Sequence, residues 1–328
     1  MKAIVNTGPS RLEMLELPLP EPGTGQVRIR SAACAVCATD LAMIAGWART
    51  PFGSIPGHEW SGTVDAVGEG VDKRLVGRKC VAENVLAAGG EVGFEHPGGY
   101  AECFLTDAAN VHTLPNDVDL TTAALIEPLA VCVRGIQRLG QAAEPAIVFG
   151  DGPIGLLTAA LLEGRGSRDI TLIGGREYRL SLASELGATR TVNYHRAGND
   201  LSAAIRSACG INAFVSLIEA SGSAAAMEAC IELAAPDARL LVLGDYGDKR
   251  ADFPWNALLH KELHLIGSNA SAGGWIEAVA LATSGRVPLR RFVSHVVPAE
   301  RFDEAIRLTR DGRDKAIKVV MTYGSQQP

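Results

Sequence analysis

Three short stretches in the N-terminal part of the chain carry residue types that bind metals. They are Cys34-Ala35-Val36-Cys37-Ala38-Thr39-Asp40, Pro56-Gly57-His58-Glu59-Trp60-Ser61-Gly62 and Glu127-Pro128-Leu129. Thiolate, imidazole and carboxylate are ligands that zinc accepts. Each stretch alone also has an ordinary reading. Cys34 and Cys37 could be core thiols, or a redox pair, although no thioredoxin-like helix follows them. His58 could be a satisfied core histidine. Glu127 could be a carboxylate at a helix start beside a proline.

A fourth stretch points to phosphate. Gly150-Asp151-Gly152-Pro153-Ile154-Gly155 follows the apolar run Ala146-Ile147-Val148-Phe149 and opens a helical segment, Leu156 to Glu163. A glycine pattern set between strand and helix is the phosphate-binding turn of a dinucleotide fold. The glycines permit a tight turn and close approach to a pyrophosphate. The helix N-terminus offers unpaired N–H groups to the anion. Gly150, Gly152, Pro153, Ile154 and Gly155 are therefore candidate cofactor contacts.

The elements around these residues fall into two kinds. The first part of the chain is rich in Gly, Pro and Val, with alternating runs such as Gln26 to Arg30 and Gly62 to Val67, and reads as a mostly antiparallel β-domain. A helix is expected from Leu120 to Leu139. From Ala146 onwards apolar strands alternate with helices: Ile170 to Ile173, then Arg179 to Leu186; Phe214 to Ile218, then Ala224 to Leu233; Leu240 to Leu243; and His264 to Gly267. That alternation predicts a doubly wound parallel sheet. A helix from about Trp275, a strand near Val293 to Val296, a helix from Ala299 to Arg310 and a strand from Ile317 to Met321 complete the chain.

Composition limits the alternatives. A chain of 328 residues is enough for roughly two domains. Hydrophobic residues make up 47% and charged residues 21%, which supports a sizeable core and not a disordered chain. The net charge of −6 and pI near 5.7 argue against nucleic acid or an anionic membrane surface as partner. No apolar run approaches ~18 residues, so no transmembrane helix is expected. The start, Met1 to Val5, has no signal-peptide pattern. Seven scattered cysteines favour reduced thiols and a cytoplasmic location.

Taken together, the motifs resemble the medium-chain dehydrogenase/reductase superfamily, in particular its zinc-containing alcohol and polyol dehydrogenases. The resemblance covers essentially the whole chain. Its most specific element is Gly-His-Glu-x-x-Gly at Gly57 to Gly62, with Cys-x-Thr-Asp at Cys37 to Asp40 and Glu-Pro-Leu at Glu127 to Leu129. It implies an α/β fold: a GroES-like β-rich catalytic domain at residues 1–128, completed by 274–328, and a Rossmann domain at 129–273. It also implies one catalytic zinc held by Cys37 and His58, with Glu59 or Glu127 as third protein ligand. An open fourth position would suit catalysis. Glutamate at 127, where the alcohol dehydrogenases proper carry a cysteine, points to the sorbitol, threonine and glucose dehydrogenase side. Thr39 is the implied proton-relay hydroxyl, Asp40 an orienting carboxylate, and Cys34 a core residue.

The chain departs from the family at several points. No cysteine lies between Cys80 and Cys103, where many relatives carry a four-cysteine lobe, so no structural zinc is expected and His96 reads as a surface residue of a shortened loop. Ala42 stands where many relatives have a relay histidine, so protons must leave by water or another group. The acidic residue that usually binds the ribose 2′-OH at the end of the second strand is replaced by Gly174. Arg176 and Arg179 could pair with a 2′-phosphate or be solvated charges, so NADP(H) is expected over NAD(H), with Glu177 the residue that could restore NAD. Ser221, Leu243 and Ser268, at the ends of the fourth, fifth and sixth strands, match cofactor contacts. Lys318 matches a basic residue on the pyrophosphate, or is a strand-edge lysine.

The expected function is a zinc-dependent oxidoreductase interconverting a secondary alcohol with a ketone or aldehyde. The alternatives are a zinc-free quinone or enone reductase of the same superfamily and a non-catalytic NADPH-binding relative. The Glu127-type site leans towards a hydroxyl-rich substrate: polyol, sugar, cyclitol or hydroxy amino acid. Trp47, Phe52, Trp60 and Phe94 could wall its pocket or be core. The family implies a homodimer or homotetramer.

Overall fold

Strands β1 (Lys2–Gly8) and β2 (Arg11–Glu16) form a hairpin at the start of the first of two units. β3 (Gln26–Ala35) alternates buried and less buried residues, so Val27 and Ile29 point into a core while Arg28 and Arg30 ion-pair with Asp65 across the sheet. This is the pattern of an antiparallel strand with one covered face. The computed structural model describes residues 1–140, 143–198, 200–250, 253–312 and 315–324. The first unit comprises Met1–Glu127 with Trp275–Pro328, and the second comprises Pro128–Gly274.

The main sheet of the first unit adds β4 (Glu59–Val67), β5 (Lys79–Ala82), β6 (Cys103–Asp107) and β7 (Val111–Thr113). The second unit supplies β8 (Ala146–Phe149), β9 (Ile170–Gly174), β10 (Arg190–Asn193), β11 (Phe214–Glu219), β12 (Ala234–Val242) and β13 (His264–Gly267). The chain then returns to the first sheet with β14 (Val293–Pro298) and β15 (Lys318–Thr322). The order there is β14-β15-β3-β4-β5-β7, with β6 also on β3. Its pairs are antiparallel except β14 with β15, which are parallel.

The second sheet runs β10-β9-β8-β11-β12-β13, all parallel. That order, three-two-one-four-five-six along the chain, is the Rossmann arrangement, whose ligand crevice lies at the carboxyl ends of the strands. β8 and β9 are buried at every residue, as strands covered on both faces must be. β10 has no counterpart among the strands expected from apolar patterning. Only Val192 is buried in this edge strand, so it carries no apolar run.

One helix was expected over residues 120–139, and the structure divides it. α1 (Ala38–Ala45) precedes α2 (Leu120–Ala123), which Asp119 caps through the N–H groups of Thr121 and Thr122; α3 (Ile126–Leu139) follows a break at residues 124–125. Pro128 has no N–H and suits a helix's first turn, so it favours a fresh start there and puts Glu127 in the opening turn of α3. The stretch Leu120–Leu139 has the length and apolarity to cross a membrane, but 72% of it is buried within the protein, as in a core helix.

Candidate functional site

Strand order gathers the metal-type residues. Cys37 lies just beyond β3 and is the N-cap of α1. Glu59 opens β4 and pairs with Ala35 of β3, while β15 pairs with the other edge of the same end of β3. Ligand atoms of Cys37, His58 and Glu59 thus lie within 4.8 Å of one another, the one such group among the described residues. Thiol, imidazole and carboxylate at this spacing suit zinc. His58 and Glu59 are buried, whereas Cys37 is reachable.

Asp40 is fully buried and lies against two of the three donor residues. Its Oδ2 accepts from the Cys37 N–H at 2.8 Å and from the Tyr100 hydroxyl at 3.3 Å. Its Oδ1 lies 3.3 Å from His58 Nδ1, close but not aligned as a hydrogen bond. Burial opposes protonation of His58, yet Asp40 and Cys37 hold its pKa well above the ordinary value. Thr39 Oγ1 is 3.7 Å from Cys37 Sγ and partly open to solvent.

Lys318 is committed to an ion pair within the first unit and is not a solvated strand-edge lysine, since β15 lies between β14 and β3. It is 4% exposed and its ammonium donates to both carboxylate oxygens of Glu59, which is 2% exposed. Burial opposes the Lys318 charge, but Glu59 more than restores it and the pKa rises. Glu127 is buried without joining the three clustered donors. Burial pushes its carboxyl up to about 7, with Glu59 and Glu91 adding to the rise and His58 and Lys318 opposing it.

The aromatic candidates separate. Trp60 is core: its Nε1 donates to Asn84 and its ring meets Phe104 edge-on at 4.7 Å. Phe94 lies against one of the three donor residues, 4.9 Å from the His58 ring, and Trp47 meets Phe94 at 6.4 Å. Arg49 lies 4.4 Å from the Phe94 centroid and pairs with Glu91 and Glu95, which ties the shortened loop to this wall. Phe52 is exposed. His96 is partly exposed and its ring bonds the Gly89 carbonyl.

In the second unit, the glycine turn leads into α4 (Pro153–Gly164), with Gly152 as N-cap and Pro153 at its first position. A Cβ on Gly155 would lie 1.9 Å from the Gly150 carbonyl oxygen, so only glycine permits this closeness of turn and helix. A cavity of about 450 Å³ opens at the strand ends, within the size range of ligand pockets. Gly150, Asp151, Gly174, Tyr194 and Ser221 line it. Leu243 and Ser268 follow β12 and β13 at the carboxyl edge but do not line this cavity.

The basis for expecting NADP(H) changes here. The end of β9 does carry a carboxylate, that of Asp151, whose Oδ2 accepts the N–H groups of Gly175 and Arg176. Arg179 is buried, its guanidinium on the Tyr178 hydroxyl and the Asp151 carbonyl, at the start of α5 (Glu177–Glu185). Arg176 is exposed.

Known proteins share both units. The alcohol dehydrogenase GroES-like domain matches residues 23–116, and the zinc-binding dehydrogenase domain matches residues 153–284. An L-threonine 3-dehydrogenase of Anaeromyxobacter sp. (strain Fw109-5) is 30% identical over 94% of this chain and 95% of its own. The chain belongs to the zinc-type medium-chain alcohol and polyol dehydrogenases. Two solved dehydrogenases share its fold, each with a TM-score of 0.91 at 24% identity, over 98% of this chain and 99% of theirs. One, from E. coli CFT073, is complexed with NADH; the other, from Sinorhizobium meliloti 1021, is bound to NADP. The dehydrogenase fold therefore does not choose between the two cofactors.

Sequence patterning did not single out Arg49, the partner of Lys318 or a role for Asp151. Arg49 and the Glu59 partnership of Lys318 carry no local signal, because their partners are remote in sequence. Asp151 does carry one: a charged residue inside a glycine turn.

Proposed function

We propose that this chain is a zinc-dependent, NAD(P)(H)-linked dehydrogenase interconverting a secondary alcohol and a ketone or aldehyde. The observation that supports it most is the Cys37–His58–Glu59 donor group, in a chain whose second unit carries a dinucleotide turn. One catalytic zinc and no structural zinc is the metal content of this reading. Zinc would supply Lewis-acid polarisation of the substrate oxygen. Cys37 and His58 would hold it with Glu59 or Glu127, and Asp40 would fix the Cys37 backbone and the His58 ring.

The protein's own residues then handle position and protons. The Thr39 hydroxyl, 3.7 Å from Cys37 Sγ, would pass the substrate proton outward. Glu127, with its carboxyl lifted to about 7, can take or return that proton near neutral pH. Phe94 covers the His58 side of the donor group, with Trp47 on the far side of Phe94. Because Asp151 returns a carboxylate to the end of β9, the expected preference for NADP(H) is not carried into this reading.

A hydroxyl-rich substrate fits best: a polyol, sugar, cyclitol or hydroxy amino acid. Glu127 supports this class, as does the relationship to a threonine dehydrogenase. A homodimer or homotetramer would form through β13, an edge strand that pairs with β12 alone among the described residues and exposes Leu265.

The test is zinc per chain by elemental mass spectrometry, with Cys37→Ser as control, followed by a screen of polyols, sugars and hydroxy amino acids. Close to one zinc, lost in the variant together with turnover, is expected. Zinc-free wild-type protein that reduces enones would overturn it.

A further inference from the structure

The carboxylate at the end of β9 comes from another strand's turn. Asp151 lies between the first two glycines after β8 and is 9% exposed. β8 and β9 are paired in parallel, Phe149 opposite Ile173, so residues 151 and 174 meet at the carboxyl edge. Asp151 Oδ2 accepts from the N–H of Gly175 at 3.0 Å and of Arg176 at 2.8 Å. A Cβ on Gly174 would lie 2.5 Å from Asp151 Cβ, 2.8 Å from Cγ and 2.9 Å from Oδ2. Asp151 thus fills the space that a side chain at 174 would need.

Asp151 also lines the cavity of about 450 Å³. Its Oδ2 is occupied by the two N–H groups, and among the described residues no hydrogen bond reaches Oδ1. In dinucleotide folds an acid at the end of the second strand accepts from the ribose 2′-OH. Here the strand has glycine, and the turn delivers the acid to the same place. A 2′-phosphate would set its own negative charge against a nearly buried carboxylate, where water screens poorly. Neither of the two nearby arginines lines the cavity where that phosphate would sit. Arg179 is buried against the Asp151 carbonyl and the Tyr178 hydroxyl, and Arg176 is in solvent.

We infer that Asp151 is the specificity-determining residue for the adenosine ribose, and that the protein takes NAD(H) in preference to NADP(H). This rests on the dinucleotide reading of the second unit. Gly174→Asp alone would collide with Asp151, so the carboxylate can be moved only by changing both positions.

The test is a fluorescence titration of the full-length protein with NADH and with NADPH. Wild type, Asp151→Asn, Asp151→Ser and Asp151→Ser/Gly174→Asp are compared, with thermal melting for each. Asp151→Asn keeps the shape and an acceptor for the two N–H groups, so it controls for folding. Wild type is expected to bind NADH more tightly. Loss of the charge should shift the NADH-to-NADPH ratio of dissociation constants towards NADPH by about 10- to 100-fold, the scale of one charge-assisted hydrogen bond. The double variant should restore the NADH preference. Tighter NADPH binding by wild type, or an unchanged ratio in a folded Asp151→Asn protein, would overturn the inference. A wild type that binds neither would overturn the dinucleotide reading itself, and this inference with it.

Discussion

The two candidate sites are built in opposite ways. The metal-type site is dense in buried charge: Asp40, His58, Glu59, Glu127 and Lys318 are each less than a tenth exposed. Its partners come from distant places in the chain, Lys318 and Glu59 being 259 residues apart. The dinucleotide turn is made mostly of backbone and glycine, from one strand-turn-helix run. Buried charges must be paired, so the first site depends on tertiary contacts. Backbone N–H groups are aimed by local conformation, so the second depends on which residues permit the turn. Substitutions should therefore act differently in the two regions.

The largest effect is expected at Lys318. Lys318→Met leaves Glu59 buried without its cation, and should cost the zinc-free protein about 3–5 kcal/mol of stability. Denaturant unfolding measures this, and adding Glu59→Gln should recover much of it. NADH affinity should stay unchanged. A Lys318→Met protein as stable as wild type would mean the ion pair is not an essential part of the site.

Gly155→Ala tests the other region. Its Cβ would meet the Gly150 carbonyl, so a loss of about 1–3 kcal/mol is expected, as for overpacked cores, with weakened NADH binding and unchanged zinc content. Zinc loss in this variant would show that the two sites are not independent.

Glu127 gives a smaller, pH-dependent effect. Its carboxyl is raised to about 7 by burial, so the folded protein holds this proton more tightly than the unfolded chain does. The associated stability is complete below the ordinary carboxylate pKa and is lost as pH rises through the folded value. Zinc-free protein should therefore melt at a lower temperature at about pH 7.5 than at about pH 5, and Glu127→Gln should flatten that slope. An identical slope in the variant would place the titration elsewhere.

The smallest effect is expected at Arg49, which is one-third exposed. Arg49→Ala breaks partly solvated pairs with Glu91 and Glu95 and should cost no more than about 1 kcal/mol. If substrate KM rises while kcat holds, the Phe94–Trp47 wall binds substrate.

Much of this was legible from local pattern. The Rossmann strands stood out because strands covered on both faces are continuously apolar. Cys37, Thr39, Asp40, His58 and Glu59 were singled out because their types and spacing are specific. β10 was not, since an edge strand with one buried residue has no apolar signature. The break before Glu127 was missed although Pro128 signalled it, because the apolar run continued across it.

The sequence by itself determined the donor types for a metal, the glycine turn for a pyrophosphate and the family of the chain. Each depends on neighbouring residues whose chemistry and backbone freedom are readable in one dimension. Only the tertiary structure decided that Lys318 serves Glu59, that Trp60 is core while Phe94 faces His58, and that Asp151 occupies the space of a side chain at 174. Those facts follow from which strands lie side by side. Strand order brings together charges that are far apart along the chain, and burial then forces them to find partners.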